Sequence, residues 1–183
     1  SIGTQTLDVV RSYKEDLHVV ALAAGSSVEM MEQQIREFHP VLASVQSEEK
    51  AADLRQRLRD MDIKIVSGMD GLIEVATEPQ AEILVTAVVG MLGLRPTVEA
   101  IKAKKTIALA NKETLVTAGH LIMPLAKECG VPILPVDSEH SAIFQSLNGE
   151  DKKAIDQAVK RAADAVECIL AEGIDRGMSR FNG

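Results

Sequence analysis

Two acidic residues near the end of an apolar run could bind a divalent cation. Asp137 and Glu139 are separated by Ser138, and they follow the run at residues 131–135. In an extended segment, side chains two residues apart point to the same side. Two carboxylates on one side suit Mg²⁺ or Mn²⁺, with substrate or a further carboxylate completing the ligand set. The alternative is a solvated acidic helix start, in which His140 is a structural or surface residue.

A second polar cluster follows the apolar run at residues 106–110. It consists of an amide, an ammonium and a carboxylate in succession: Asn111, Lys112 and Glu113. Ligands bind at the carboxyl ends of the strands in open α/β sheets, so this cluster is a candidate binding site. Helix capping explains the same residues, with Asn111 as N-cap and Glu113 beside the positive end of the helix. Both interpretations stay open at this point.

The loop Gly25, Ser26 and Ser27 follows another apolar run and contains no carboxylate. In NAD-binding proteins an acidic residue at the end of the second strand binds the ribose 2′-hydroxyl. A loop without that charge would not repel a 2′-phosphate, and it therefore favours NADP over NAD. An ordinary strand-to-helix turn with serine as N-cap is equally compatible with these residues.

The first residues of the chain carry a weaker signal. Ser1, Ile2 and Gly3 precede a helical pattern that contains Leu7 and Val10. They could form the end of a glycine-rich turn whose N–H groups hold a pyrophosphate. A plain helix start is the alternative.

The elements that must position these residues follow a regular alternation. Continuous apolar runs predict strands at 18–24, 41–45, 63–66, 81–87, 106–110 and 131–135. Helical spacing predicts helices at 28–38, 47–59, 71–76, 94–103 and 112–129. Such β-α units form a parallel sheet, and continuous apolar strands indicate that both faces are covered. We therefore predict a Rossmann-like, doubly wound parallel α/β fold with helices on both faces.

Composition excludes several classes of function. The 183 residues carry 20 basic and 27 acidic side chains, a net charge of −7, and 2% aromatic residues. We expect no nucleic-acid partner, because a basic face and stacking platforms are both missing. No apolar run reaches the ~18–20 residues of a membrane span. Cys129 and Cys168 fit neither a zinc pattern nor a disulfide framework, and with no visible secretory signal we expect a cytoplasmic protein with reduced thiols.

Four segments together resemble the amino-terminal region of the 1-deoxy-D-xylulose 5-phosphate reductoisomerases. They are SIGTQTLDVV at 1–10, VVALAAG at 19–25, TIALANKETL at 106–115 and LPVDSEHSAIFQ at 134–145. The last two are long and specific, and the resemblance extends from the first residue to about residue 149.

The resemblance implies an oxidoreductase of isoprenoid biosynthesis that uses NADPH and Mn²⁺ or Mg²⁺. Its substrate is a small sugar phosphate, 1-deoxy-D-xylulose 5-phosphate, which is rearranged and reduced to 2-C-methyl-D-erythritol 4-phosphate. The resemblance places the cofactor at Ser1, Ile2, Gly25, Ser26, Ser27, Asn111 and Glu113. It places the substrate at Lys112, Ser138 and Glu139, and the metal at Asp137 and Glu139. A homodimer is one open assembly state.

The chain also departs from the family pattern. A first strand and a Gly-Ser-Thr-Gly turn before Ser1, and a third metal carboxylate after residue 149, are not in this sequence. We therefore expect weakened NADPH and metal binding, and whether this chain is itself an enzyme stays open. The alternative is a non-catalytic fragment or an engineered nucleotide-binding or scaffold domain of the family.

The last part of the chain matches no pattern of this family. We predict a nucleotide-binding domain with the start of the catalytic region at 1–149 and a helical tail at 150–183. One apolar stripe in the tail consists of Ile155, Ala158, Val159, Ala162, Val166, Ile169 and Leu170. Such a stripe would pack on the domain or on another chain.

Overall fold

The computed structural model describes residues 2–88 and 90–136, together with the single positions Asp164 and Arg176. The chain divides into two compact units, Ser1–Asp137 and Ser138–Gly183. Asp164 and Arg176 are both helical and exposed. The predicted domain boundary after residue 149 and the apolar stripe of the tail lie outside the described residues and stay predictions.

Strands and helices alternate through the first unit, which confirms the predicted α/β class. The helices are α1 (Ile2–Ser12), α2 (Val28–Phe38), α3 (Glu48–Arg57), α4 (Gly68–Thr77), α5 (Leu94–Lys102) and α6 (Lys112–Cys129). The strands are β1 (Ala21–Ala23), β2 (Leu42–Val45), β3 (Lys64–Ser67), β4 (Ile83–Thr86), β5 (Thr106–Leu109) and β6 (Ile133–Pro135). Both α2 and α6 begin and end at the predicted residues, whereas most strands are shorter than their apolar runs. A short 3₁₀ helix, Gly90–Gly93, was not predicted.

All strand pairs are parallel, as predicted. Hydrogen bonds join them in the orders β1-β2-β3 and β4-β5-β6, so that the described residues form two three-stranded sheets. Ala23 lies opposite Ser44 in the first sheet, and Thr86 lies opposite Leu109 in the second. The carboxyl ends of neighbouring strands therefore coincide, and the loops that follow them lie at one edge of each sheet.

Within the described residues, β1 and β4 each have one edge without a strand partner, and these two edges are called the inner edges below. Among the described residues, β1 pairs with β2 alone and β4 with β5 alone. The outer strands carry Lys64 in β3 and Pro135 in β6, residue types that discourage further pairing at a sheet edge. The inner strands consist of Ala-Leu-Ala and Ile-Leu-Val-Thr, with no charge and no proline. The predicted sheet is thus found as two halves within the described residues.

Each half has its own apolar core. In the first, Met31, Ile35 and Leu54 are fully buried and belong to one cluster with the strand residues Ala43 and Ile65. At about 1.5–3 kcal/mol for each large apolar side chain, this burial stabilises α2 and α3 against the sheet.

The second core and helix α4 complete the packing. Ile101, Ile107 and Ile122 are fully buried and join α5, β5 and α6 in a second cluster. Helix α4 packs on β2 and also on α5, so it contacts elements of both halves. Within residues 2–88 and 90–136, no helix has the length and apolar content needed to cross a bilayer.

The described chain starts with helix α1, and contact of Ser1 and Ile2 with a cofactor stays a prediction. Ile2 and Gly3 lie in the first turn of α1. Arg11 joins α1 to α2 through an ion pair with Glu37, at 2.5 Å, and its guanidinium lies 5.2 Å from the ring centre of Phe38. Ser1 lies outside the described residues.

Candidate functional site

The loop that follows β1 lies at the carboxyl edge of the first sheet, as predicted. The backbone N–H of Ala24 donates to the carbonyl of Ser44 at 2.9 Å, which extends the β1–β2 pairing. One step further, the N–H of Gln46 donates to the carbonyl of Gly25 at 3.2 Å. The loops after β1 and β2 are therefore in direct contact.

The serine that begins α2 does not cap the helix with its side chain. Ser27 occupies the N-cap position of α2 in extended conformation, yet its side chain makes no capping hydrogen bond. Gly25 is exposed, and a Cβ atom placed on it would meet no atom within 4 Å. The predicted serine N-cap is thus right in position, but the hydroxyl does not act as the cap.

A lysine that the sequence analysis did not single out lies beside this loop. Lys50 is in the first turn of α3, and its Nζ donates to the carbonyl of Ser26 at 3.3 Å. Pairing of β1 with β2 puts the start of α3 next to the loop after β1. The signal that could have found Lys50 is its distance of three residues from the N-cap Ser47, which fixes it in the first helical turn.

Asn111 is buried and caps α6, which confirms the capping role. Its Oδ1 accepts a hydrogen bond from the N–H of Thr114 at 3.2 Å. Its Nδ2 donates to the carbonyls of Val88 and Gly90, at 2.6 Å and 2.7 Å. One side chain therefore joins the loop after β4 to the start of α6. Contact of Asn111 with a cofactor stays a prediction.

Two glycines allow this junction to close. A Cβ atom on Gly93 would lie 2.8 Å from Cγ2 of Val88 and 3.2 Å from Nδ2 of Asn111, so only a residue without a side chain fits. Gly90 has φ +65°, a left-handed conformation that favours glycine. Thr97 donates from its hydroxyl to the carbonyl of Gly93 at 2.6 Å. The pair of glycines three residues apart was the sequence signal for this turn.

Lys112 and Glu113 follow Asn111 at the carboxyl edge of the second sheet. Both are exposed in the first turn of α6, directly after β5. The carboxylate of Glu113 stabilises the helix start through the positive end of the helix dipole. The ammonium of Lys112 is exposed where a ligand at this edge would meet it.

The structure does not test the predicted metal ligands. Asp137, Ser138 and Glu139 are outside the described residues, so the structure does not describe their arrangement. Within the described part of the chain, no three or more histidines, cysteines or acidic residues are grouped closely enough to hold a metal ion.

Comparison with known proteins agrees with this architecture. The model of the 1-deoxy-D-xylulose 5-phosphate reductoisomerase family matches residues 1–119. A reductoisomerase of Lachnospira eligens is 62% identical over 163 residues, which is 89% of this chain and 43% of that protein. One of Agathobacter rectalis is 61% identical over the same lengths. The chain thus spans less than half the length of these relatives.

Solved structures of this family share the fold. A crystal structure of DOX-P reductoisomerase in complex with NADPH, fosmidomycin and magnesium superposes with a TM-score of 0.79 at 41% identity, over 85% of this chain and 39% of that one. The enzyme of Zymomonas mobilis in complex with NADPH gives 0.78 at 35% identity, over 84% and 40%. The family match covers most of the chain and the fold agrees, so the chain belongs to the 1-deoxy-D-xylulose 5-phosphate reductoisomerase family.

Proposed function

We propose that this chain supplies the NADPH-binding part of a 1-deoxy-D-xylulose 5-phosphate reductoisomerase. The observation that carries the proposal is that the family-matched residues follow the carboxyl ends of parallel strands in both sheets. The carboxylate-free loop at Gly25–Ser27 follows β1, and the run from Asn111 to Glu113 follows β5. Nucleotides bind outside the carboxyl ends of strands in parallel sheets of this kind.

The residues present fit a phosphorylated dinucleotide. Gly25 and Gly90 lie in open space, where a ligand can approach the backbone closely. The hydroxyl of Ser27 makes no capping bond and is free to donate to a phosphate or ribose oxygen. Solved relatives in complex with NADPH support the same cofactor.

In the whole enzyme, 1-deoxy-D-xylulose 5-phosphate would be rearranged and then reduced to 2-C-methyl-D-erythritol 4-phosphate. NADPH supplies the hydride when it is bound. Lys112 is exposed beside the strand ends, and its positive charge would stabilise negative charge on a bound sugar phosphate. Ser138 and Glu139 would contact the same substrate, a role that rests on the sequence resemblance.

A divalent cation would bind at Asp137 and Glu139. Two carboxylates suit Mg²⁺ or Mn²⁺, and substrate oxygens would complete the hard-cation ligand set. A bound cation would polarise the hydroxyl and carbonyl oxygens of the substrate. The magnesium complex of a solved relative supports this choice of metal class.

A nucleotide titration tests the cofactor proposal. We expect NADPH to bind the chain saturably, detected calorimetrically or by a change in its own fluorescence. Lys127→Gln should bind NADPH as the parent does, because Lys127 lies in the last turn of α6, far along the helix from Lys112. Failure of NADPH to bind at any accessible concentration would refute the proposal.

A turnover assay distinguishes a catalytic chain from a non-catalytic domain of the same family. The chain spans 43% of the length of the Lachnospira eligens relative, and a non-catalytic domain is the second candidate. Oxidation of NADPH that requires 1-deoxy-D-xylulose 5-phosphate and Mn²⁺, and that Glu139→Gln abolishes, would establish catalysis by this chain. Saturable NADPH binding without such turnover would establish the non-catalytic candidate. Homodimer formation and a cytoplasmic location accompany this proposal and are tested by sedimentation and by cell fractionation.

A further inference from the structure

We propose that Lys50 selects NADPH over NADH by pairing with the adenosine 2′-phosphate, an inference that rests on the proposed function. The first step is position. Lys50 lies on α3, whereas the loop expected near the adenosine ribose follows β1. The hydrogen bond from its Nζ to the carbonyl of Ser26 brings a positive charge onto that loop from the neighbouring strand–helix unit.

The second step is availability. An ammonium has three N–H donors, and the bond to Ser26 uses one of them. Among the described residues, Lys50 forms no ion pair with a carboxylate. The nearby Glu48 is engaged by Arg55 at 2.6 Å and by the hydroxyl of Ser67 at 2.9 Å. Those bonds hold the pKa of Glu48 below its usual range, and the Glu48 carboxylate pairs with Arg55.

The third step is the absence of a competing group. The loop at Gly25–Ser27 has no acidic side chain to bind a free ribose 2′-hydroxyl. Sites for a 2′-phosphate place a cation where sites for NAD place that carboxylate. A lysine at this position contributes a point charge that a phosphate dianion satisfies and a neutral hydroxyl does not. Lys50 is therefore the cation that discriminates the two cofactors.

Two small nucleotides isolate this interaction. Adenosine 2′,5′-bisphosphate and adenosine 5′-monophosphate differ in the 2′-phosphate, and neither contains a nicotinamide. We expect the parent chain to prefer the bisphosphate. Lys50→Gln should weaken binding of the bisphosphate by about tenfold to a hundredfold, the range of a charge-assisted hydrogen bond. Binding of the monophosphate should not change.

Two further variants control the result. Lys50→Arg retains the charge and should retain the preference. Lys64→Gln removes a lysine from the amino end of β3, where it pairs with Glu74 at 2.5 Å, and should also retain it. Circular dichroism melting of each variant confirms that the fold is intact.

The outcomes separate the two proposals. A preference for the bisphosphate that Lys50→Gln leaves intact would overturn the role of Lys50 and leave the proposed function standing. Equal binding of both nucleotides by the parent would do the same. A parent chain that binds neither nucleotide would refute nucleotide binding itself, and the role of Lys50 with it.

Discussion

Asn111 shows how a single buried side chain connects two loops of the candidate site. Its carbonyl oxygen caps α6, while its amide nitrogen holds the carbonyls of Val88 and Gly90. Buried polar groups that lose such partners destabilise a protein by about 1–3 kcal/mol each. The conformation of the loop after β4 therefore depends on an amide at this position.

Replacing the amide by a carboxylate should separate the two roles. Asn111→Asp retains an oxygen that can cap α6 and loses the donor to Val88 and Gly90. A carboxylate oxygen then faces the two carbonyl oxygens, and they repel each other. We expect faster hydrogen exchange at the amides of Gly90–Gly93, with α6 as protected as in the parent. Asn111→Ala removes the cap and the donor together, so hydrogen exchange should become faster both at Gly90–Gly93 and at the start of α6. Unchanged exchange at Gly90–Gly93 in Asn111→Asp would contradict the assignment.

Two buried threonines near Gly93 offer a matched comparison. Both Thr97 and Thr114 are fully buried, but only the hydroxyl of Thr97 has a hydrogen-bond partner among the described residues. Thr114→Val should raise the free energy of unfolding by about 1 kcal/mol, because it removes an unpaired polar group. Thr97→Val should lower it by about 0.5–1.5 kcal/mol. Denaturant titration measures both, and equal losses would show that the Thr114 hydroxyl is satisfied.

At the scale of elements, ion pairs join α2 to its neighbours. Arg11 of α1 pairs with Glu37, and Arg36 of α2 pairs with Asp60 at 2.7 Å. Hydrogen bonds from the two arginines lower the pKa of Glu37 and of Asp60 from their ordinary values of 4.5 and 3.8. These side chains are exposed, so each pair contributes modestly and is screened by salt.

The lowered pKa values predict a pH dependence with a definite sign. A carboxylate whose pKa is lower in the folded state stabilises the fold above its unfolded pKa, and this contribution is lost as the pH falls through the folded pKa. Arg11→Met should therefore melt at a lower temperature than the parent at about pH 7. The difference should shrink in acidic solution, as the pH falls through the lowered pKa of Glu37 and its carboxylate is protonated. A difference that is the same at both pH values would exclude the Glu37 ion pair as its cause.

At the scale of the whole molecule, we expect the inner edges, which have no strand partner among the described residues, to affect association in solution. Strand β4 exposes Ile83 to 51% and has no charge or proline. Its backbone bonds to β5 through Glu82 and Thr86, so the N–H and C=O groups of the alternate residues Ile83 and Val85 face the open side. Such an edge favours pairing with a second chain.

A charge on this edge should suppress that pairing. Ile83→Lys should reduce concentration-dependent association in sedimentation velocity, while the free energy of unfolding changes by no more than about 0.5 kcal/mol. Leu134→Lys is the control: it adds the same charge to β6, an outer strand that ends in Pro135. Equal association of the parent and Ile83→Lys would show that the inner edge is not the contact.

The sequence by itself determined the class of fold, and it predicted where ligands should bind. Apolar runs and helical spacing are local properties, and for this reason α2 and α6 begin and end where they were predicted. The family was also evident from segments such as TIALANKETL, because residue identity carries that information directly. The position of Asn111 at the helix start followed from local capping chemistry as well.

Only the tertiary structure decided which residues from separate segments meet. Lys50 reaches Ser26, and Asn111 reaches Val88, across 24 and 23 positions of the chain. Such contacts depend on strand pairing and on register, which no local pattern encodes. The division into two three-stranded sheets was hidden for the same reason: an apolar run predicts a buried strand but does not say which neighbour buries it.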